Sequence, residues 1–272
     1  MIGSDRREAP RALWHRDAAE EAGRVVRSRF IAWNRADSAA LRALMHVPHV
    51  SMPDHRLSIR ESERSLLGGA DPRRPASTAG WHHSGLERLD IRRCSPDKVH
   101  CAVTFGKNAA DGRRYADAEA VAILTCRDGR WGIQVNSVTL RPIGVGRADH
   151  AGAVAAAIEV LRRWLAAGDA GDPAAVRPLV HLPFVELRGS ELVVHRSAAS
   201  LRRAGWGRDA GPPSGRREIH QVEVRERSVR KVTLEADIAR LGPGGALVGR
   251  DAALVIVTEQ QGRWALQVHS VF

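Results

Sequence analysis

Cysteine is scarce in this chain: of 272 residues only Cys94, Cys101 and Cys126 are Cys. All three lie in the first half, and Arg227, Leu234 and Glu259 answer them in the second. Neither a shared disulfide framework nor a zinc site is therefore expected, and the metal expectation is none. Long apolar runs are missing as well. The residues before Trp14 are polar and rich in Arg, without the stretch that a signal peptide or a membrane span needs, so the expectation is a cytoplasmic protein with no membrane partner. Lysine is nearly absent: Lys98, Lys107 and Lys231 are the only Lys among 42 basic residues, although the net charge is +11. The Arg residues are scattered among Asp and Glu and form no stripe, and no recognition helix or set of stacking aromatics accompanies them. Nucleic acid is accordingly not an expected partner. A Gly-rich phosphate loop and a dinucleotide fingerprint are also missing, so no nucleotide, and no other cofactor, is expected.

What is present is a repeat. Gly129-Arg130-Trp131-Gly132-Ile133-Gln134-Val135-Asn136-Ser137-Val138 returns at the end of the chain as Gly262-Arg263-Trp264-Ala265-Leu266-Gln267-Val268-His269-Ser270-Val271. The separation of 133 residues is too long for a solenoid and fits a small domain used twice. The boundaries drawn from it are an extended segment over 1–16, a first domain over 17–141, a linker over 142–151 and a second domain over 152–272.

Apolar spacing predicts a helix over 18–34 through Ala18, Ala22, Val25, Val26, Phe30 and Trp33, answered by Val154, Ile158, Leu161, Trp164 and Leu165. Asp37 and Asp172 sit where N-caps belong, the second before Pro173, and short helices follow. Pro48 and Pro183, in His46-Val47-Pro48-His49-Val50 and His181-Leu182-Pro183-Phe184-Val185, are expected to stop those helices. Short strands near 57–59 and 192–194 and a third short helix come next. Loops over 68–80 and 207–215 lead to runs of long strands, with Arg127-Asp128-Gly129 as one turn. The fold class expected is α+β: two tandem domains, each a curved antiparallel sheet wrapped on helices.

Both halves resemble the nuclear transport factor 2-like, or SnoaL-like, cone. The residues that carry the resemblance include Ala32-Trp33-Asn34, His46-Val47-Pro48-His49-Val50, Gly80-Trp81-His82-His83-Ser84, Ser95-Pro96-Asp97-Lys98-Val99-His100 and Asp128-Gly129-Arg130-Trp131. The resemblance implies a pocket inside each cone between the sheet and the first helix, and two repeats packed as a pseudo-dimer, with a further homodimer as an additional expectation. It spans isomerases, cyclases, hydrolases and non-catalytic binders, so the site must decide function. Ketosteroid isomerase chemistry is not expected. Its carboxylate base would fall near Pro53 and Arg188, its Tyr near Arg29 and Val160, and its acid near Val121 and Leu254.

The candidate catalytic residues are Glu186, His49, His83, Asp117 and Glu119. Glu186 has the strand parity that faces the cone interior, in phase with Phe184 and Arg188, and has two readings: an acid or base with a raised pKa, or a partner of Arg188. Asp117 and Glu119 share a strand face near the single Tyr, Tyr115. The imidazoles of His49 and His83 offer acid or base chemistry, or structural hydrogen bonds; His46 and His181, present in both halves, are expected to bind helix-end carbonyls. The candidate ligand-binding set adds Trp33, His82, Tyr115 and Asn136 in the first half, and Trp164, Phe184, Arg188 and His269 in the second. The Trp residues pair between repeats as Trp33 with Trp164, Trp81 with Trp206 and Trp131 with Trp264, which favours packing. Two functions remain open: a cofactor-independent enzyme of secondary metabolism, such as a cyclase, isomerase or epoxide hydrolase, or a non-catalytic protein holding a ligand or partner. The expected partner is a small apolar or amphipathic molecule.

Overall fold

A computed structural model describes residues 15–67, 80–146, 148–203 and 215–272. The first half runs α1 (Arg16–Asn34), α2 (Ser38–Ala43), β1 (Met45–Pro53), β2 (Ser58–Arg60), a 3-10 turn, and the long strands β3 (Trp81–Cys94), β4 (Lys98–Ala109), β5 (Arg114–Arg127) and β6 (Arg130–Pro142). The second half repeats the order as α3 (Ala151–Asp169), α4 (Pro173–Val176), β7 (Val180–Arg188), β8 (Glu191–His195), α5 (Ala198–Arg203), β9 (Arg216–Arg227), β10 (Lys231–Leu241), β11 (Leu247–Gln260) and β12 (Arg263–Val271). Each half forms one six-stranded sheet, in the orders β2-β1-β6-β5-β4-β3 and β8-β7-β12-β11-β10-β9. The protein is α+β, with two tandem domains.

The helices form where the apolar stripes and caps require. α1 buries Ala18, Ala22, Val25, Val26 and Phe30. The Asp37 side chain accepts from Ala40 N, and the Asp172 side chain from Ala174 N and Ala175 N with Pro173 in the first turn. Asp128-Gly129 and Gln261-Gly262 all take positive φ, the geometry of a tight hairpin turn in which Gly carries no Cβ penalty.

Three expectations need correction. The sheets are mixed, because β1 runs parallel to β6 and β7 parallel to β12, while the other neighbours are antiparallel. Parallel neighbours need a long crossover, and β2 to β5 supply it in the first half. Pro48 and Pro183 do not stop a helix. Helix α2 has already ended at Ala43, and Pro48 lies within β1, where the register with β6 shifts between Met45 and Val50; a residue without an N–H is tolerated where the ladder is interrupted. Trp33 and Trp164 are not equivalent either. The helices α1 and α3 superimpose at a spacing of 135 residues, which sets Trp164 opposite Arg29. Trp206 and the two loops before β3 and β9 lie outside the described residues, as does most of the N-terminal segment.

Each cone has its own core, and a third apolar cluster joins the halves. On β5, Ala118, Ala120 and Ala122 face the first cone, whereas Val121 and Ile123 pack with Leu254, Ile256 and Val268 of the second half. The sheets thus pack back to back. Lys98 and Lys231, the first residues of β4 and β10, reach across: Lys98 Nζ donates to Val271 O, and Lys231 Nζ to Val138 O at 2.9 Å. No helix among the described residues is long and apolar enough to cross a membrane.

Candidate functional site

The repeated residues build a brace for the bulged strand. Arg130 Nη2 donates to His46 Nδ1 at 2.9 Å, which places the imidazole proton on Nε2, facing Thr125 O at 3.1 Å and Arg130 O at 3.2 Å. Gln134 donates to Pro48 O and accepts from Thr125 Oγ1 at 3.0 Å. Arg263, His181, Gln267, Thr258 and Pro183 repeat the arrangement. His46 and His181 are structural, but their carbonyls belong to the following hairpin and not to a helix end. Burial first, then the neighbouring guanidinium, holds both below the ordinary His pKa.

The first cone holds a cavity of about 370 Å³. Phe30, Trp33 and Phe105 supply apolar wall; Arg29, His49, Ser51, Arg60, Lys107 and Asn136 supply polar groups. Strand parity explains the set: Val50 and Met52 point to the other sheet, so His49 and Ser51 point inward. Ser51 lies beside Asn136 in the β1–β6 register, and Arg60 opposite His49 in the β1–β2 register. His49 Nδ1 lies 3.0 Å from Ile133 O. A carbonyl only accepts, so Nδ1 carries the proton and Nε2 is the basic nitrogen. Desolvation lowers its pKa to about 4, with Arg29 and Arg60 adding to the shift, so the imidazole is neutral at pH 7.

The second cone carries different residues at the same places, and there they satisfy one another. Trp164 replaces Arg29, Phe184 replaces His49, Glu186 replaces Ser51, His195 replaces Arg60 and His269 replaces Asn136. Trp164 packs on His269 at 4.6 Å and Phe184 stacks on His195 at 5.9 Å. Glu186 accepts from Arg188 Nε at 3.1 Å and stands 3.4 Å from His195 Nε2 and 3.8 Å from His269 Nδ1. Burial would raise the Glu186 pKa, yet these partners outweigh it and bring it to about 2. Glu186 is therefore a fixed carboxylate, and the raised-pKa reading is overturned. His195, which no sequence argument singled out, completes the network.

Asp117 and Glu119 are not in either cone. They share the parity of Val121 and Ile123, and border a cleft of about 190 Å³ with His150 and Arg227. Although burial would raise Asp117, hydrogen bonds from Arg141 and Arg114 hold it below the ordinary carboxylate range. Tyr115 begins the same strand; burial raises its pKa, and its hydroxyl has no hydrogen-bond partner among the described residues. His82 and His83 pair with each other at 3.2 Å at the start of β3, and His83 Nε2 meets Asn108 Nδ2 at 3.2 Å. Neither lines the first cavity, although the next residue, Ser84, does. Of the sequence candidates, the cavity gathers only Trp33, His49 and Asn136. It adds Arg29, an Arg on the apolar stripe four residues after Val25 and four before Trp33. Among the described residues no three His, Cys, Asp or Glu side chains are grouped as a metal would require.

No family model and no curated relative matches the chain. Solved structures match each about half of it. A cystatin-like protein of unknown function from Nostoc punctiforme is 12% identical over 48% of this chain and 96% of its own, with a TM-score of 0.41. A ketosteroid isomerase-like protein from Erwinia carotovora is 17% identical over 48% and 100%, at 0.38, and a putative ketosteroid isomerase from Shewanella frigidimarina 16% identical over 43% and 94%, at 0.35. NTF2-like proteins are among the similar structures. Each of them covers about half of this chain, which is itself built as two tandem α+β halves. Their chemistry is a matter for this chain's own side chains.

Proposed function

We propose that this protein binds a small amphipathic molecule in the cone of its first half, while the second cone is a filled, structural copy. The observation that carries the reading is the difference between equivalent positions: His49, Ser51 and Asn136 line a cavity of about 370 Å³, whereas in the second half Phe184 stacks on His195, Glu186 pairs with Arg188 and His195, and His269 packs on Trp164. A volume of that size, with mainly apolar walls and a few converging polar groups, suits a small organic ligand. Native mass spectrometry of freshly purified protein tests it, beside Ser51→Phe, which fills the first cavity. An added mass on the order of a few hundred daltons in the wild type, lost in the variant, is expected. Retention of the same mass by Ser51→Phe would place the ligand elsewhere.

His49 supports turnover as a second reading. Its proton is fixed on Nδ1 by Ile133 O, and it is neutral, so Nε2 can take a proton from a ligand beside Arg29. This is the chemistry of a cofactor-independent isomerase, cyclase or hydrolase. On that reading His49→Gln keeps ligand affinity and loses at least about 100-fold in turnover of any substrate identified; equal rates in the two proteins would leave binding alone.

A further inference from the structure

Arg29 is a feature of the first cavity that the fold does not require. The same helix position in the second half is Trp164, 3% exposed in the apolar core, so the scaffold closes there around a side chain with no charge. In the first half a guanidinium takes that place. Its Nε is enclosed without a hydrogen-bond partner, and among the described residues no carboxylate pairs with it. Phe30 and Trp33 flank it, each with its ring centroid 6.0 Å from the guanidinium carbon. Burial lowers its pKa to about 10, which still leaves it charged at pH 7. The residue is only partly buried, so water reaches part of the guanidinium, but on its enclosed side the cation has no counter-charge, a place that a ligand carboxylate can take.

The charged groups are mostly positive. Arg60 and Lys107 also line the cavity, His49 is neutral, and among the described lining residues the one carboxylate is Asp54, whose charge acts on Lys107. The second half shows what the corresponding space accepts: from the position of Ser51, Glu186 projects a carboxylate into its own cone and meets Arg188 and His195 there. In the first half that position is a short Ser beside Asn136, and the space that a Glu carboxylate would fill is left for another molecule.

We infer that the ligand of the first cone is an organic carboxylate, its carboxyl group paired with Arg29 and its apolar body seated against Phe30, Trp33 and Phe105. The inference rests on the reading of this cone as a ligand pocket. A guanidinium presents parallel N–H donors that match the two oxygens of a carboxylate. Ser51 and Asn136 offer neutral donors next to it, and the aromatic wall selects against small hydrated anions.

Isothermal titration calorimetry on the full chain tests the inference with benzoate, 4-phenylbutanoate and octanoate, each beside its primary amide. In the wild type the acids that bind are expected to bind at least about 10-fold more tightly than their amides, as a charge-assisted pair would give. Arg29→Gln should abolish that preference and leave amide affinity within about 2-fold, and Arg29→Lys should keep part of it. Amides that bind the wild type as well as the acids do, or an acid preference that survives Arg29→Gln, would overturn the carboxylate while leaving the pocket. If neither series binds, the pocket reading fails and this inference with it. Should Arg29→Gln not fold, the acid and amide pairs on the wild type decide alone.

Discussion

Lys231 and Glu226, both of the second half, form an ion pair at 3.3 Å where that half meets the first, with both side chains at 0% exposure. Glu226 also accepts from Thr233 Oγ1 at 2.7 Å, and Lys231 Nζ also donates to Ser137 Oγ and Val138 O, both at 2.9 Å. Lys98 has the same place in the first half but a different setting: its Nζ donates to Val271 O and lies 4.7 Å from the centre of the Phe272 ring. The position equivalent to Glu226 is Arg93.

Removing one partner of a buried pair leaves the other charge uncompensated. Lys231→Met is therefore expected to destabilise the protein by about 3–5 kcal/mol. Lys98→Met leaves no buried carboxylate behind and should cost clearly less. Urea unfolding of both variants measures the difference; equal losses would mean that the carbonyl contacts, and not the ion pair, dominate.

The strand brace predicts two matched effects. Arg130→Ala removes donors to Ala43 O, Met45 O and His46, and Arg263→Ala removes donors to Pro178 O, Val180 O and His181. Each should lower stability by about 1–2 kcal/mol, and the double variant by about the sum, since the sites lie in different halves. A double variant much less stable than the sum would show that the two braces are energetically coupled.

Stability should fall with acid in two windows. His49 is held neutral, with a pKa near 4 against an ordinary 6.5, so the unfolded chain binds the proton first and stability is lost as pH falls from about 6.5 towards 4. Glu186 is depressed to about 2 from 4.5, so its contribution is complete above about 4.5 and is lost as pH falls towards 2. Each shift corresponds to up to about 3 kcal/mol. Unfolding midpoints across pH should show His49→Gln flattening part of the upper window, to which His46, His100, His181 and His269, also held below the ordinary His pKa by burial, contribute too, and Glu186→Gln flattening the lower one. A His49→Gln profile parallel to the wild type would refute the assignment.

Arg29 and Trp164 predict opposite responses at equivalent positions. Arg29→Met exchanges an uncompensated, half-buried cation for an apolar side chain, and the ligand-free protein should gain on the order of 1 kcal/mol. Trp164→Ala opens a core and should lose about 3–5 kcal/mol. Thermal unfolding in the absence of added ligand reads both. A loss in Arg29→Met would make the guanidinium part of the scaffold.

The periodic and repeated features were legible because they are local. Hairpin turns at Asp128-Gly129, the Asp37 and Asp172 caps and the α1 stripe each depend on residues within a few positions. The site was less legible because it depends on exact register. Aligning the halves through Trp33 and Trp164 hid Arg29, whereas the caps at Asp37 and Asp172, themselves 135 apart, give the alignment that the helices obey. Asp117 and Glu119 were drawn towards the cone because they share a strand with residues that face it; one step along β5 moves a side chain to the other side of the sheet.

The sequence by itself determined that the chain folds as two copies of one α+β unit, because caps, turns and apolar periods act over short distances and recur in both halves. Only the tertiary structure decided which side chains gather around the cavity of the first cone. Whether a side chain faces space or fills it depends on the residues opposite, and those come from strands and helices far apart in the chain: Glu186 is satisfied by His195, Arg188 and His269, while the half-buried Arg29, flanked by Phe30 and Trp33, has no carboxylate paired with it among the described residues.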